Sequence, residues 1–463
     1  MLKWLSDASN KLNQWLANDN INPSEPRIIP RDQHAISRRH ISKAALQVIG
    51  GLRKAGHQGF LVGGGVRDLL LGGHPKDFDV ATDATPEEIV KLFRGARIIG
   101  RRFKIVHVRF GREIIEVTTF RSNHSPSAIE GKPGNKRSAQ SEEGMLLRDN
   151  VFGTVEEDAI RRDFTINALY YTTKDFALYD YTGGLYDLQH RIIRIIGEPA
   201  TRYKEDPVRM LRAARFAAKL DFTIEENTLA PISELAPMLS NIPAARLFDE
   251  SLKLFMSGYG LACFKQLREL SLFGQLFPDT ELALQTDDSD FTLRLIEHAL
   301  TNTDQRIKAG KPVTPAFIYA ALLWPALQLR FQELLKTRIP EVPAMHQASQ
   351  EVTRQQQTHT ALPKRFAIPM REIWELQLRL PRRNGRRAEA MLENRRFRAA
   401  YDFLLLREQA GEETGNLGQW WTEYQNQHPD FREKMIRTLR PNSKRTSKKP
   451  SRTPRTRSAG EHD

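Results

Sequence analysis

Apolar residues recur at helical spacing from Ile41 to Leu52 (Ala44, Ala45, Val48 and Ile49 between them), which predicts a helix over residues 36–55. The pattern then shortens. Leu61-Val62 ends a brief strand, Gly63-Gly64-Gly65 turn the chain, and Val66-Arg67-Asp68 open a helix. Lys76-Asp77-Phe78-Asp79-Val80 reads as a strand. Residues i and i+2 share a face there, so Asp77 and Asp79 point one way while Phe78 and Val80 point into the core. Thr85-Pro86-Glu87-Glu88-Ile89 starts a helix with a capping threonine and a first-turn proline. Strands are expected over 96–99, 104–110 and 113–120, the last two joined by a hairpin at Gly111-Arg112.

Residues 122–144 are polar and read as a mobile loop. Thr154 can cap a helix over 155–162, residues 163–171 turn apolar again, and Gly183 and Gly184 close this first domain. From about Asp187 the period is helical throughout. Helices are expected over 205–220, 227–239, 244–255, 261–272, 291–301, 315–335 (kinked or split at Pro325), 346–359, 371–378 and 388–408. No fixed-period repeat is present. After about Leu439 the chain is Ser, Thr, Pro, Lys and Arg, too hydrophilic to fold alone. The pattern predicts an α+β chain: an irregular leader (1–35), a first domain with a small mixed β-sheet (36–185), a helical neck (186–255), a helical body (256–436) and a disordered basic tail (437–463).

Length and composition narrow the class. The 463 residues suffice for roughly two to four domains. No apolar run is long enough to span a membrane, so no stable membrane insertion is expected. Residues 1–23 lack a continuous apolar core and carry Asp7 and Asp19, unlike a signal peptide. Their Leu2, Trp4, Leu5, Leu12, Trp15 and Leu16 fall at roughly helical spacing. A frayed end or local packing helix is the ordinary reading; docking on a surface or membrane is the alternative. The single cysteine, Cys263, excludes an internal disulfide and a zinc site built on several cysteines, and points to the cytoplasm.

The formal charge is +14, which suggests a polyanionic partner. Arg437, Arg440, Lys444, Arg445, Lys448, Lys449, Arg452, Arg455 and Arg457 supply nine of these charges with no acid among them. The folded part is therefore only mildly basic. Arg382-Arg383-Asn384-Gly385-Arg386-Arg387 either extends that basic track or is a solvated loop.

The candidate chemistry centres on the glycine turn and the two aspartates. Glycines let backbone approach a phosphate, and N–H groups at a helix start bind it. Asp77 and Asp79 on one face repel unless a cation lies between them. Two Mg2+ ions about 3.5–4 Å apart would satisfy both and suit phosphoryl chemistry. Glu116, on a strand face where a charge is out of place in a core, and Asp163 compete as a third carboxylate, with an ordinary salt bridge as the alternative for either. Arg67 could hold a triphosphate bidentately, and Asp68 is expected to tie the turn together. Asp206, Arg209 and Arg212 recur every three residues on one helix face, with Val208 and Leu211 toward the core. They suit a nucleobase reader or, more plainly, a charged helix face.

Taken together, residues 61–68, Asp77-Phe78-Asp79, Glu116-Val117-Thr118-Thr119-Phe120-Arg121, Arg161-Arg162-Asp163-Phe164-Thr165-Ile166-Asn167-Ala168 and Glu205-Asp206-Pro207-Val208-Arg209-Met210-Leu211-Arg212 resemble, in order, the class II nucleotidyltransferases: bacterial poly(A) polymerases and tRNA CCA-adding enzymes. The resemblance covers about residues 35–255. It implies a nucleotidyltransferase head, metals on Asp77 and Asp79, and Asp163 among the catalytic acids, with a weaker claim for Glu116. It also implies Gly64, Arg67 and Arg162 at phosphate or ribose, and Asp206, Arg209 and Arg212 at the base. Residues 98–108, the loop before Met145, the leader from Pro30 and the basic tail are similar to the proteobacterial poly(A) polymerase branch. Likeness to that branch implies template-independent addition of AMP from ATP to RNA 3′ ends with two Mg2+ ions, the basic tail gripping RNA, and RNA-decay proteins as further partners. A CCA-adding enzyme is the close rival and a catalytically idle RNA-binding adaptor the distant one. No His-Asp doublet occurs before the terminal His462-Asp463, so an appended phosphohydrolase domain is not indicated.

Overall fold

The computed structural model describes residues 25–100, 104–122, 138–140, 146–149 and 151–439. The leader to residue 24 and the tail from Arg440 lie outside these. The first ten strands are β1 (Arg27–Ile29), β2 (Gly59–Val62), β3 (Asp79–Thr82), β4 (Ala96–Ile99), β5 (Ile105–Phe110), β6 (Glu113–Thr119), β7 (Ser138–Gln140), β8 (Leu146–Asp149), β9 (Leu169–Tyr171) and β10 (Leu178–Asp180). Eight of them form one mixed sheet in the order β1-β10-β9-β2-β3-β6-β5-β4, and β7 pairs with β8 apart from it. Within the large sheet β3 and β6 run parallel, whereas the other pairings are antiparallel.

Helices α1 (Lys43–Lys54), α2 (Gly64–Leu70) and α3 (Pro86–Leu92) follow β1, β2 and β3, and α4 (Val155–Ile160), α5 (Gly184–Gln189), α6 (Pro199–Glu205) and α7 (Val208–Leu220) lead into the helical part. One sheet face packs Leu61, Val80, Val106, Val108, Ile115 and Val117 with Val48 and Leu52 of α1 and Ile89 of α3. The other face is covered only over part of its width, where Phe60, Val62, Ala81 and Tyr170 meet Val155 and Ala159 of α4. Burial on both sides explains why β2 is apolar throughout rather than alternating. The uncovered part begins at Asp79.

Local signals fix several element ends. Thr85 and Thr154 each form a capping box, with Glu88 and Glu157 respectively. α1 starts only at Lys43, capped by Ser42, whereas the sequence pattern begins it at residue 36; Arg38–His40 form a separate 3-10 turn. The expected helix over 205–220 begins only at Val208, as α7, and Glu205 instead ends the separate helix α6. Pro207 lacks the N–H that would continue α6, and Asp206 sits in an extended conformation between α6 and α7. The 227–239 segment breaks into short turns around Pro231 and Pro237. The 315–335 helix splits ahead of Pro325, as the proline signals. Within the polar 122–144 segment, β7 is a paired strand rather than loop. Helices Pro278–Thr286, Leu417–Asn426 and Pro429–Thr438 are additions to the sequence pattern.

The helical part shares a continuous core with the sheet domain. A second cluster gathers Leu380, Phe397, Leu404, Trp421 and Tyr424 near the C-terminal end, with Met435 and Ile436 packed against it. Arg437 therefore belongs to a folded helix, on which it pairs with Glu433 at 2.8 Å, and not to the tail. No helix among the described residues is long and apolar enough to cross a membrane.

Candidate active site

The glycine turn ends β2 and caps α2. Gly63 has φ +73° and ψ −147°, a conformation that only glycine adopts without strain. A Cβ there would lie 3.4 Å from Asp79 Oδ2 and 3.8 Å from Arg162 Nη1. The missing side chain thus keeps open a gap between a carboxylate and a guanidinium. Gly64, the first residue of α2, packs against the Arg67 side chain, and Gly65 lies against the Asp77 carbonyl.

Asp79 is the first residue of β3; Asp77 is exposed on the segment just before it, and Phe78 and Val80 are buried as the alternation predicts. On the neighbouring parallel strand Glu116 is in register with Asp79. Burial, then Glu116 and, less, Asp77 push the Asp79 carboxyl up to about 6, against the pull of Arg162. Three acids therefore repel one another on the open face of the sheet. Glu116 answers to His107, whose Nε2 lies 3.5 Å from its Oε1.

Asp163 does not join this group. Its Oδ1 accepts from the Phe164 N–H at 2.8 Å and from Asn167 Nδ2 at 3.4 Å, and its Oδ2 accepts from Arg212 Nε at 2.6 Å. Burial alone would raise its carboxyl, but Arg212, the Phe164 N–H and Arg209 outweigh that and hold it at about 2. Of the two third-carboxylate candidates, Glu116 sits beside Asp79, and Asp163 is bonded to Arg212 on α7.

Arg67 is also engaged within the protein. It is 2% exposed, donates to Asp68 Oδ1 at 2.8 and 2.7 Å and gives Nη1 to Asn167 Oδ1 at 2.8 Å. Three of its five N–H groups are thus taken up inside the protein. Asp68 ties the turn as expected. Asp68, Arg67, Asn167, Asp163 and Arg212 form one continuous run of hydrogen bonds from the glycine turn to α7. Asn167 is its middle link, and the sequence pattern offers no sign of that role beyond its place in the 161–168 motif.

Arg162 is the cation that faces the carboxylates. Its Nε donates to Tyr170 OH at 2.8 Å and its Nη2 to Asp158 Oδ2 at 3.1 Å; Tyr170 OH also donates to Asp158 at 2.6 Å. Asp158 is fully buried. Burial would raise its carboxyl, yet Arg162, Arg161 and Tyr170 hold it at about 2. Asp158 stands three and four residues before Arg161 and Arg162, a local spacing that could have marked it; its contact with Tyr170 and its complete burial are set by the fold.

Each of the three neck residues has a protein partner. Asp206 accepts from Arg246 at 2.7 Å, Arg209 reaches Glu205 at 2.8 Å and the Arg202 carbonyl at 2.6 Å, and Arg212 holds Asp163. Because the helix breaks at Pro207, Asp206 does not share a helix face with the two arginines. Of the nine basic residues taken as an RNA grip, Arg437 is on the last folded helix. Arg440, Lys444, Arg445, Lys448, Lys449, Arg452, Arg455 and Arg457 fall outside the described residues.

The donor set fits Mg2+ in kind: carboxylate oxygens on an open sheet face, with a raised Asp79 that a cation would relieve. Among the described residues no three His, Cys, Asp or Glu side chains gather into a group that could hold a metal ion by themselves. An open carboxylate edge is what Mg2+ takes when water and phosphate complete its shell.

Three family models match: the Poly A polymerase head domain over residues 59–194, the probable RNA and SrmB-binding site of polymerase A over 221–284, and the polymerase A arginine-rich C-terminus over 337–457. The chain is 50% identical to poly(A) polymerase I of Salmonella typhimurium (89% of this chain, 88% of that one) and 46% identical to that of Haemophilus influenzae (94% and 96%). A CCA-adding enzyme of Lactobacillus helveticus is 34% identical over only 53% of this chain and 55% of its own. Among solved structures, the Bacillus stearothermophilus CCA-adding enzyme in complex with CTP superposes with a TM-score of 0.54 at 25% identity, covering 82% of this chain and 80% of that one. The head is thus shared with both enzyme types, but the poly(A) polymerases match from the sheet to the arginine-rich end. The chain belongs to the bacterial poly(A) polymerase I family, polynucleotide adenylyltransferases that add AMP to RNA 3′ ends without a template.

Proposed function

We propose that Asp77, Asp79 and Glu116 hold two Mg2+ ions at which ATP and an RNA 3′ end meet. The observation that carries this is the parallel register of Asp79 with Glu116, beside the opening that Gly63 leaves under Arg162. When bound, the ions supply charge neutralisation for the triphosphate and acidify the attacking 3′-hydroxyl. The chain's own residues do the placing. Arg162, clamped by Asp158 and Tyr170, faces the phosphates with the one guanidinium nitrogen, Nη1, that has no hydrogen-bond partner among the described residues. The start of α2 offers backbone N–H groups to the same anion. Arg67, Asn167, Asp163 and Arg212 fix the turn relative to the neck, so Asp206 and Arg209 stand as the proposed base-facing groups.

RNA reaches this site from the helical part, where the family matched over residues 221–284 is described as a probable RNA and SrmB-binding site. The tail supplies further phosphate contacts. RNA-decay proteins as partners and a cytoplasmic location belong to the same proposal. The test offers a short unstructured RNA each nucleoside triphosphate separately with Mg2+. A long ladder with ATP alone is expected. Addition confined to tRNA and ending after CCA would replace this reading by the CCA-adding one, and no addition at all would leave only an RNA-binding adaptor.

A further inference from the structure

The register of the sheet lines up a row of side chains running outward from the carboxylates. Val62 pairs with Asp79, Asp79 with Glu116, Glu116 with His107, and His107 with Arg97. Directly paired residues project on the same side of a sheet. Asp79, Glu116, His107 and Arg97 therefore lie side by side on one face, about 4.8 Å apart from strand to strand. The opposite face is closed by Val106, Val108, Ile115 and Val117. The face bearing the row is open: Arg97, Arg109 and Glu116 are exposed, as are Ile99 and Ile114. Neither Arg97 nor Arg109 has an ion-pair partner among the described residues.

The charge along the row changes sign. Carboxylates occupy β3 and β6, an imidazole occupies β5, and a guanidinium occupies β4 at the edge. A polyanion whose hydroxyl end must reach the carboxylates is repelled by them along most approaches. It is attracted only where cations begin, two strands away from Glu116, roughly 10 Å. An RNA 3′ end has this layout, since its reacting hydroxyl is neutral and its first phosphodiester lies one nucleoside back.

We infer that the β4–β6 face is the seat of the RNA primer's 3′-terminal nucleotides, with Arg97 contacting the last phosphodiester and His107 both orienting Glu116 and lining the path to it. This rests on the assignment of Asp77, Asp79 and Glu116 as the reacting edge. Arg109, paired with Ile114 two residues along the same face, extends the same strip. Ile99 and Ile114 give the terminal ribose and base an apolar floor. The arrangement makes these residues determinants of primer binding and not of ATP binding.

A tri-adenylate primer isolates the contact, because it carries no phosphates beyond those of its last three nucleotides. For R97A in the full-length protein, KM for tri-adenylate should rise about threefold to tenfold, the scale of one exposed charged contact. KM for ATP should stay put, and R97K should recover part of the loss. A primer carrying a neutral methylphosphonate at its last linkage should show the same rise with the parent protein and no further rise with R97A. H107Q should raise KM for the primer less. An unchanged primer KM in R97A, or a methylphosphonate penalty that persists in full in that variant, overturns the inference. D79N, run alongside, separates the two levels: if it still incorporates AMP, the underlying carboxylate assignment fails instead.

Discussion

Asp79 on β3 and Glu116 on β6 face each other in register across the one parallel pairing of the main sheet. That relationship carries the proposal that these two acids act together. Two antiparallel neighbours could be joined by a tight hairpin, but parallel strands need a crossover. The chain therefore travels through α3, β4 and β5 before it returns Glu116 to the side of Asp79. On this basis E116Q should lower AMP incorporation by about a hundredfold or more, the scale of losing one group that stabilises developing charge. D79N should abolish incorporation, and RNA affinity measured by filter binding should stay near the parent's for both. An E116Q protein that keeps full activity would return Glu116 to a surface role.

Asp163 provides the contrast. Its bonds to Arg212, Asn167 and the Phe164 N–H join the head to the neck. D163N should destabilise the fold by about 2–3 kcal/mol, as expected when a hydrogen bond to a charged group is broken in a partly buried site. The dependence of activity on Mg2+ concentration separates the two acids. It should be unchanged in D163N and shifted to higher Mg2+ in E116Q. A shifted Mg2+ dependence in D163N would place Asp163 back among the metal carboxylates.

How much of this was readable in the chain depends on the range of the interaction. The capping boxes at Thr85 and Thr154 and the alternation around Phe78 and Val80 are local, and the sequence pattern finds them. The motif residues Arg67, Arg162, Asp163 and Arg212 also stand out as a set. Their roles do not: Arg67 and Asp163 are decided by partners far away in sequence, Asn167 and Arg212, and Arg162, although only four residues from Asp158, by the burial of the Asp158–Tyr170 pair. Arg next to a glycine turn reads as a phosphate ligand until a buried amide oxygen is seen to occupy it. Pro207 was visible, yet its consequence for Asp206 was hidden by the even three-residue spacing of Asp206, Arg209 and Arg212. His107 and Arg97 carry no motif signal of their own; only strand register brings them into line with Glu116.

The pH dependence of stability should come largely from depressed carboxylates. Asp158 and Asp163 are both held at about 2, below the usual 3.8. A group whose pKa is lower in the folded state favours folding above its unfolded value, and that contribution disappears as pH falls through the folded value. The window is therefore about pH 4 down to 2, where each of the two groups withdraws about 2 kcal/mol. Thermal melts between pH 5 and pH 2 should show the loss, and D158N should be less stable at neutral pH with a shallower acid slope. An acid slope identical to the parent's would remove Asp158 from this account. The same variant should raise KM for ATP, because Arg162 loses the partner that aims it.

The last prediction concerns the tail, and the fold moves its starting point. Helix Pro429–Thr438 packs Met435 and Ile436 on the C-terminal cluster, and Arg437 pairs with Glu433. A cut at residue 437 would remove part of that helix and confuse a weaker grip on RNA with a damaged fold. Deleting residues 440–463 leaves the helix whole and removes eight basic residues, Arg440 through Arg457. Their contribution to RNA binding is electrostatic, so it should show in the salt dependence more than in affinity at any one salt concentration. Every phosphate of a single-stranded RNA that the truncation leaves unneutralised should lower the steepness of log K against log salt by about 0.7. The truncated protein should bind a long unstructured RNA more weakly and with a shallower slope, while its KM for tri-adenylate stays at the parent value, because that primer is held at the head. A slope equal to the parent's would take the tail out of the RNA path and leave the helical body to carry it.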